Sequence, residues 1–235
     1  MSPKPWIVTR AEPGASATAS RIRAMGGAAL ILPLFEIVPT SAPLPDHQPF
    51  QAVVFTSANG VRTAPAGLAR ALPAFAVGDA TAVAAQAAGF STVVSADADG
   101  AALAALITAR LRPDAGAVLH VRGEDVAFDV SAALQAAGFQ AEAVIAYRSE
   151  ALDALSPAQR MAAAAAQGVL FHSARGAAVG ARLMAPLAPQ LAAICISAAA
   201  KAAAQDAPFA RFAVAERPMD EALVALAFAQ TEAKG

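Results

Sequence analysis

Two serine-containing stretches carry the first chemical signal in the sequence. VVFTSANGV (53–61) places Ser57 at the end of an apolar run, and VLFHSARGA (169–177) places Ser173 in the same way. A serine at the start of a helix accepts hydrogen bonds from free backbone N–H groups. The same N–H groups, together with the helix dipole, can hold an anion. Each serine therefore has two interpretations, as a helix cap alone or as a cap within an anion-binding site.

A second pair of stretches is similar. AVGDATA (76–82) combines Gly78 with the hydroxyl of Thr81, and CISAAAK (195–201) has Ser197 in the place of the glycine. Glycine allows a ligand to approach the backbone closely. The chain contains neither a GxGxxG nor a Walker A sequence, so a dinucleotide or P-loop phosphate site is not predicted.

Two arginines and one tyrosine are the other candidates. Arg10 and Arg122 each follow a predicted strand and precede a glutamate by two residues. They are interpreted either as local ion pairs, which contribute little when exposed, or as planar forks for ligand carboxylates. Tyr147, the single tyrosine, is interpreted either as a hydrogen-bonded packing residue or as a proton donor. A phenol with a pKa of about 10 is protonated at neutral pH.

Metal and disulfide chemistry are not predicted. The spacing of the three histidines matches no zinc pattern, and Cys195 is the single cysteine. One cysteine excludes an internal disulfide and is typical of a reducing compartment, so a cytoplasmic location is expected.

Short apolar segments alternate with longer alanine-rich segments along the chain. The apolar segments are predicted to be strands near 5–9, 29–38, 51–55, 74–77, 92–94, 117–121, 140–148, 168–171, 192–196 and 211–214. The alanine-rich segments are predicted to be helices near 14–25, 60–71, 79–88, 99–111, 126–137, 157–166, 175–185, 198–205 and 219–229. This alternation is typical of an α/β fold with a parallel sheet covered on both faces.

The chain contains an internal repeat. IVTRAE (7–12) matches HVRGE (120–124), the two serine stretches match each other, and AVGDATA matches CISAAAK. Three matching blocks in the same order predict two similar open parallel-sheet domains that arose by duplication. The blocks lie at strand ends, where open α/β sheets bind ligands.

Two extended segments at equivalent places, LPLFEIVPTSAP (32–43) and AVIAYRSEAL (143–152), predict a two-stranded β connector between the domains. Two consecutive domains divided near residue 115 are the alternative. The boundaries predicted for the connected arrangement are 1–36 plus 150–235 for a discontinuous domain, 42–143 for an inserted domain, and 37–41 with 144–149 for the hinge strands.

Composition excludes several classes of protein. Hydrophobic residues make up 57% of the chain and the mean hydropathy is +0.50, but alanine accounts for most of this. No segment reaches about 18 strongly apolar residues, so no membrane span is predicted. The N-terminus does not resemble a signal peptide. Seventeen basic and eighteen acidic residues give a net charge of −1, so nucleic-acid binding is not predicted.

Taken in order, the motifs resemble the uroporphyrinogen-III synthase family. The resemblance spans essentially the whole chain and rests on VTR (8–10), LPLFEI, FTSANGV, AVGDATA, VRGE, the connector Tyr147 and the second serine turn. It implies two α/β domains with the active site in the cleft between them, and neither cofactor nor metal. The implied reaction is cyclisation of the linear tetrapyrrole hydroxymethylbilane to uroporphyrinogen III, with loss of water and inversion of the last pyrrole ring.

The resemblance also implies roles for individual residues. Tyr147 matches a connector tyrosine that donates a proton or a hydrogen bond to the departing hydroxyl. The chain departs from the family at 197–200, where a threonine hydroxyl is missing, and at His172, where the family often has a small hydroxyl residue. At these two places the resemblance implies hydrogen bonds to the substrate from backbone N–H groups only. The implied substrate-binding residues are Arg10, Thr56, Ser57, Asn59, Gly78, Thr81, Arg122, Gly123, Ser173 and Ser197.

Two other functions stay open at this point. A two-domain transferase acting on a phosphorylated or nucleotide-activated small molecule would use a duplicated α/β unit equally well. A non-catalytic sensor domain would bind a carboxylated ligand without turnover. The expected partner is the small tetrapyrrole, with no nucleic acid and no membrane. A monomer is expected, with room for a transient contact with the preceding enzyme of the pathway.

Overall fold

The computed structural model describes residues 3–12, 14–46 and 49–232. The strands in these residues are β1 (Pro5–Val8), β2 (Ala28–Ile31), β3 (Phe35–Pro39), β4 (Phe50–Phe55), β5 (Ala74–Ala76), β6 (Val93–Ser95), β7 (Ala117–Gly123), β8 (Ala141–Ala151), β9 (Gly168–Phe171), β10 (Ala192–Cys195) and β11 (Arg211–Val214).

Helices alternate with the strands. They are α1 (Gly14–Ala24), α2 (Ala58–Arg62), α3 (Asp79–Ala87), α4 (Gly100–Arg110), α5 (Val130–Ala136), α6 (Pro157–Ala164), α7 (Ala174–Met184), α8 (Ala198–Ala204) and α9 (Asp220–Glu232), with a short 3-10 helix at Ala188–Gln190. None of the helices in the described ranges has the length and apolar character needed to span a bilayer.

The chain divides into two compact units. The outer unit comprises Met1–Glu36 and Ala151–Gly235, and the inserted unit comprises Ile37–Glu150. Residue 115, where the alternative arrangement would divide the chain, lies inside the inserted unit. Both unit boundaries fall within strands, β3 and β8.

The outer unit contains a five-stranded sheet in the order β11-β10-β9-β1-β2, and all its neighbouring strands are parallel. Successive residues of a strand point to opposite faces. Accordingly, Ile7 belongs to one apolar cluster, while Trp6 and Val8 belong to another. Both faces of this sheet are therefore covered, as the continuously apolar strands predict.

The inserted unit contains a six-stranded sheet in the order β3-β8-β7-β4-β5-β6. The five strands from β8 to β6 are parallel neighbours. Ala52 and Val54 of β4 enter one apolar cluster, while Val53 and Phe55 enter the other. The core of this unit, like that of the outer unit, therefore lies in two layers on either side of a sheet.

The internal repeat corresponds to equivalent positions in the two sheets. In the sequence, β1 matches β7, β9 matches β4, and β10 matches β5. The sheet orders β2-β1-β9-β10-β11 and β8-β7-β4-β5-β6 place these strands in the same sequence of neighbours. The prediction of two similar parallel-sheet α/β domains is confirmed.

The connector consists of β3 and β8. The N–H of Leu152 donates to the Leu34 carbonyl (2.9 Å), and the N–H of Thr40 donates to the Ala146 carbonyl (3.0 Å). Residue numbers rise along β3 while those of the partners in and next to β8 fall, so the two strands are antiparallel. The single strand predicted over 29–38 is wrong, because Pro33 lies in a break between β2 and β3.

The helix predicted over 60–71 is also wrong. The structure has only α2, which begins at Ala58 and ends at Arg62. Pro65 lacks a backbone N–H, and Gly67 adopts a φ of +83°, which is left-handed backbone. These two residues prevent the helix from continuing, although the segment is rich in alanine and leucine.

Candidate functional site

The carboxyl ends of β7, β4 and β5 lie side by side in the inserted unit, because these strands are parallel neighbours. Thr56 and Ser57 follow β4 directly, Gly123 ends β7, and Gly78 comes two residues after β5. Predicted site residues from three separate parts of the sequence therefore meet at one edge of the sheet, the edge at which open α/β sheets bind ligands.

Ser57 and Tyr147 are hydrogen-bonded to each other. The Ser57 Oγ lies 2.8 Å from the Tyr147 hydroxyl, and the same Oγ accepts a hydrogen bond from the Gly60 N–H at 3.1 Å. Ser57 is the N-cap of α2, so its position is fixed by the helix. The cap therefore holds the phenol oxygen of the half-buried Tyr147 in one place.

An irregularity in the sheet sets the position of the Tyr147 ring. The pairing of β7 with β8 shifts by one residue between Arg122, which faces Ile145, and Gly123, which faces Tyr147. A Cβ at position 123 would lie 2.7–2.9 Å from atoms of the tyrosine ring and its hydroxyl. Glycine is therefore required at position 123, because any side chain there would occupy the space of the Tyr147 ring.

A buried histidine lies behind Thr56. His120, fully buried in β7, has its Nε2 3.3 Å from the Thr56 Oγ1 and its Nδ1 2.9 Å from the Ser131 Oγ. Burial, and then the charge of Arg122, lower the pKa of His120 to about 4, while Asp129 acts in the opposite direction. The ring is therefore neutral at physiological pH and links two hydroxyls.

A cavity of about 180 Å³ lies beside these residues, entirely within the inserted unit. Thr56, Gly123 and Tyr147 line it, together with the loop that follows β7. That loop contributes Val126 and Phe128, which are 38% and 40% exposed. The phenol of Tyr147 therefore adjoins a space large enough for part of a ligand.

Arg122 and Asn59 are each held by residues close to them in the sequence. One guanidinium nitrogen of Arg122, Nη1, donates to the carbonyls of Gly123 and Glu124, each at 3.0 Å. The interpretation of Arg122 as an ion pair with Glu124 is therefore replaced by backbone contacts that fix the start of the loop. The Asn59 Oδ1 accepts from the Arg62 Nη1 at 2.8 Å on the surface of α2.

Gly78 and Thr81 stand at the start of α3. Gly78 is its N-cap, with an ordinary extended φ of −158°, and a Cβ at this position would meet no atom within 4 Å. The protein itself therefore does not require glycine here, and the backbone stays open to an approaching group. Thr81 is only 6% exposed. Direct contact between its hydroxyl and a ligand remains a prediction.

The outer unit repeats this edge with different side chains. Arg10 follows β1, Ser173 follows β9 by two residues, and Ser197 follows β10 by two residues. Ser173 and Ser197 are N-caps that accept from Gly176 (3.0 Å) and Ala200 (3.3 Å). Ser173 thus corresponds to Ser57 as a helix cap. Since β9 lies between β1 and β10 in the parallel sheet, the three residues lie along one edge of it.

Asp220 at the start of α9 gathers polar groups of the outer unit. Its Oδ1 accepts from the Thr18 hydroxyl (2.7 Å) and the His172 Nε2 (2.8 Å), and its Oδ2 accepts from Arg21. The Arg10 Nη1 lies 3.8 Å from the Asp220 Oδ1. Arg10 therefore faces Asp220, and the expected ion pair with Glu12 is replaced by this longer-range one.

The pKa values in this cluster follow from its contacts. Burial lowers the pKa of His172, while the hydrogen bond to Asp220 opposes the shift. Burial alone would raise the pKa of Asp220, but the hydrogen bonds from Thr18 and His172 and the charge of Arg21 leave it below the ordinary value. The cluster therefore consists of a neutral imidazole and a carboxylate that is shared by two arginines.

The family model described as uroporphyrinogen-III synthase HemD matches residues 16–225. The chain belongs to the uroporphyrinogen-III synthase family. It is accordingly an enzyme of tetrapyrrole biosynthesis, and neither the transferase nor the sensor alternative gains support. A comparison with curated proteins gives no match.

Solved structures of uroporphyrinogen-III synthases resemble the chain. The enzyme from Helicobacter pylori 26695 is 19% identical, with a TM-score of 0.57, over 96% of this chain and 99% of that one. The enzyme from the extremely thermophilic bacterium Thermus thermophilus is 16% identical, with a TM-score of 0.41, over 98% of each chain. At these identities the likeness to the Helicobacter pylori enzyme shows a shared fold over nearly the whole length.

Within this uroporphyrinogen-III synthase, several polar residues of the site had no signal in the sequence. Asp220 is 202 residues from Thr18, and Ser131 is separated from His120 by a loop. Residues 125–129 of that loop gave no motif. In the described part of the chain, no three His, Cys, Asp or Glu side chains come close enough together to hold a metal ion.

Proposed function

We propose that this uroporphyrinogen-III synthase cyclises hydroxymethylbilane to uroporphyrinogen III with Tyr147 as the proton donor to the departing hydroxyl. The observation that supports this role is the hydrogen bond between the Tyr147 hydroxyl and the Ser57 Oγ at a cavity in the inserted unit. Since the phenol can donate only one proton, its position decides which substituent of the substrate receives it.

The reaction begins with the transfer of one proton from Tyr147 to the substrate. The phenol proton joins the hydroxyl as the carbon–oxygen bond breaks, which releases water and leaves an azafulvene. The substituted carbon of the last pyrrole ring then forms a bond to the azafulvene methylene, which gives a spiro intermediate. The older bond from that carbon to the methylene of the neighbouring ring breaks, and this methylene bonds to the unsubstituted carbon of the last ring, which is thereby inverted. The proton lost when the final ring regains aromaticity restores the phenol. Most of the catalytic effect in this scheme comes from orientation.

We propose that backbone N–H groups and a few side chains bind the carboxylate arms of the substrate. In the inserted unit these are Thr56, Ser57, Asn59, Gly78, Thr81, Arg122 and Gly123, and in the outer unit they are Arg10, Ser173 and Ser197. What supports this proposal is their position at helix starts or strand ends, where unsatisfied N–H groups and the helix dipole favour anions. Arg10 and Arg122 add positive charge.

The test uses freshly prepared hydroxymethylbilane, which closes without enzyme to the uninverted isomer I. The protein should yield isomer III, as resolved by chromatography of the oxidised products. Isomer I as the only product would contradict the proposed function. Product formed only after addition of phosphate or nucleotide would favour a transferase instead.

We also propose that the chain acts as a monomer in the cytoplasm, in transient contact with the preceding pathway enzyme at most. The buried, unpaired Cys195 suits a reducing compartment. Sedimentation at micromolar concentration should give a single species with the mass of one chain, 23.5 kDa. A species of twice that mass would contradict the proposal.

A further inference from the structure

The loop that follows β7 places an aromatic side chain at the cavity beside Tyr147. Phe128 lines this cavity and is 40% exposed. A Cβ at Gly100 would lie 2.8–3.1 Å from the Cδ1, Cβ and Cγ of Phe128, so the ring packs directly on the first turn of α4. The absence of a side chain at position 100 therefore sets where the phenyl ring stands.

Several apolar side chains surround the cavity, and two of them are exposed to solvent. Val126 (38% exposed) and Phe128 lie in the same short loop, and Val77 also lines the cavity. Large apolar side chains that remain exposed around a concave site are typical of a binding surface. The hydroxyls of Thr56 and Tyr147 supply the polar groups of the same cavity.

The lining of the cavity favours an uncharged ring. Among the residues that line it, all of them in the described part of the chain, Val77, Val126, Ala127 and Phe128 are apolar, and Gly100 and Gly123 have no side chain. A wall of this kind suits the flat, uncharged body of a pyrrole ring.

The size of the cavity agrees with one ring. Its volume is about 180 Å³. A protein cavity of about 150 Å³ holds benzene. There is thus room for one five-membered aromatic ring and the first atoms of its substituents, and not for two rings.

We propose that this cavity is a subsite for one pyrrole ring of the tetrapyrrole, which lies against Phe128 with its hydroxymethyl side toward Tyr147. The inference rests on the proposed function and extends it. It assigns recognition of the ring itself to the loop residues Val126 and Phe128, and leaves the carboxylate arms to the backbone N–H groups and side chains proposed above.

Substitution of Phe128 tests the subsite by kinetics. Loss of stacking in Phe128→Ala should raise the KM for hydroxymethylbilane about tenfold, because ring–aromatic contacts contribute about 1–3 kcal/mol. Phe128→Tyr should keep the wild-type KM, and Phe128→Leu, which keeps bulk without an aromatic face, should lie between them. In Gly100→Ala the added methyl group should displace the Phe128 ring, so this variant should also have a higher KM. Val83→Ala, at an exposed apolar position of α3 outside the cavity, is the matched control.

A second measurement locates the ring directly. In protein with 13C-labelled valine methyl groups, saturation with uroporphyrinogen III without oxygen should shift the methyl signals of Val77 and Val126, because both residues line the cavity and the bound ring carries a ring current. The methyl signals of Val83 should stay in place. Shifts at Val126 that vanish in Phe128→Ala would support stacking between the pyrrole ring and Phe128.

The outcomes separate the subsite from the function. A wild-type protein that makes no isomer III overturns the proposed function, whatever the variants do. A wild-type protein that makes isomer III, with Phe128→Ala and Gly100→Ala at the wild-type KM and the valine methyls unmoved, overturns the subsite alone. A folding defect in Phe128→Ala would appear in its circular dichroism, and the methyl shifts of the wild-type protein then decide.

Discussion

The hydroxyl of Tyr147 lies 2.8 Å from the Oγ of Ser57, and that Oγ also caps α2 through the N–H of Gly60. One serine thus serves the helix and the phenol at once. Because the cap N–H occupies the serine oxygen as an acceptor, the cap fixes the direction from which Tyr147 is held. Structure and chemistry are coupled at this pair.

Replacement of Tyr147 by Phe should lower kcat much more than it weakens product affinity. The phenol is proposed to act on the departing hydroxyl, which the product lacks, so only the step that breaks the carbon–oxygen bond loses a donor. A loss of about 100-fold in kcat is the magnitude typical of a removed general acid. Single-turnover kinetics and product titration would measure the two quantities. Equal losses in both would mean that the phenol only positions the substrate.

Replacement of Ser57 by Ala should affect stability and turnover together. Loss of the cap should lower the free energy of unfolding by about 1 kcal/mol. The freed Tyr147 hydroxyl should lower kcat as well. Ser173→Ala is the matched control, because Ser173 caps α7 in the same geometry and has no hydrogen bond to Tyr147. It should show a similar loss of stability, measured by urea unfolding, with a smaller loss of kcat. Identical kcat values in the two variants would refute a role for the Ser57–Tyr147 contact.

His120 should make stability depend on pH. Its pKa is lowered from 6.5 to about 4 in the folded protein, so the unfolded chain binds a proton that the folded chain does not. Stability is then complete above pH 6.5 and falls as the pH drops toward about 4, by about 3 kcal/mol. Urea unfolding at pH 7 and pH 4.5 would measure the change.

The variant His120→Gln should lose this part of the pH dependence. His172→Gln should retain the contribution of His120 and lose only the separate contribution of His172, whose pKa is also lowered by burial. If the free energy of unfolding of His120→Gln changed with pH as steeply as that of the wild type, the pH dependence would come from other groups.

Loss of the Asp220 charge should destabilise the outer unit. Asp220→Asn removes the carboxylate shared by Arg10 and Arg21, and its side chain is 15% exposed, so a loss of about 2 kcal/mol is expected. The pKa of Asp220 lies below its ordinary value of 3.8. Its contribution is therefore present above pH 3.8 and disappears as the pH falls through the lower, folded-state pKa.

Unfolding of wild type and Asp220→Asn should thus converge at low pH. Asp114→Asn is a suitable comparison, since Asp114 pairs with Arg112 on the surface, where the two side chains are 70% and 80% exposed. That variant should leave stability nearly unchanged. An equal effect of the two substitutions would show that burial of Asp220 has no consequence.

Most of the fold could be predicted from periodicity and repeats, because the signals are local. Apolar runs located the strands, and the repeat assigned equivalent strands to equivalent places in two sheets. The failures arose at prolines. Pro33 divides one apolar run into β2 and β3, and Pro65 with Gly67 ends α2 early. Around Pro65, composition rich in alanine and leucine favours helix on both sides and so conceals the break.

The site could be predicted only in part, because its contacts join residues distant in sequence. The caps Ser57, Ser173 and Ser197 were evident from the pattern, and the structure has all three. The partners of Ser57 and Arg10 were not, since Tyr147 and Asp220 are 90 and 210 residues away and no local rule connects them. Arg122 shows the same limit, as its guanidinium binds carbonyls of its own turn in place of the nearby glutamate.

The hydrogen bond between Leu152 and Leu34 has a consequence for how such a chain can evolve. The bond brings together the two chain segments that flank residues 37–150. A short reverse turn could therefore join these segments if the whole lobe were removed. Insertions with adjacent ends disturb their host least. The lobe could thus be exchanged with that of a distant relative, as a cassette, without rethreading the remaining polypeptide.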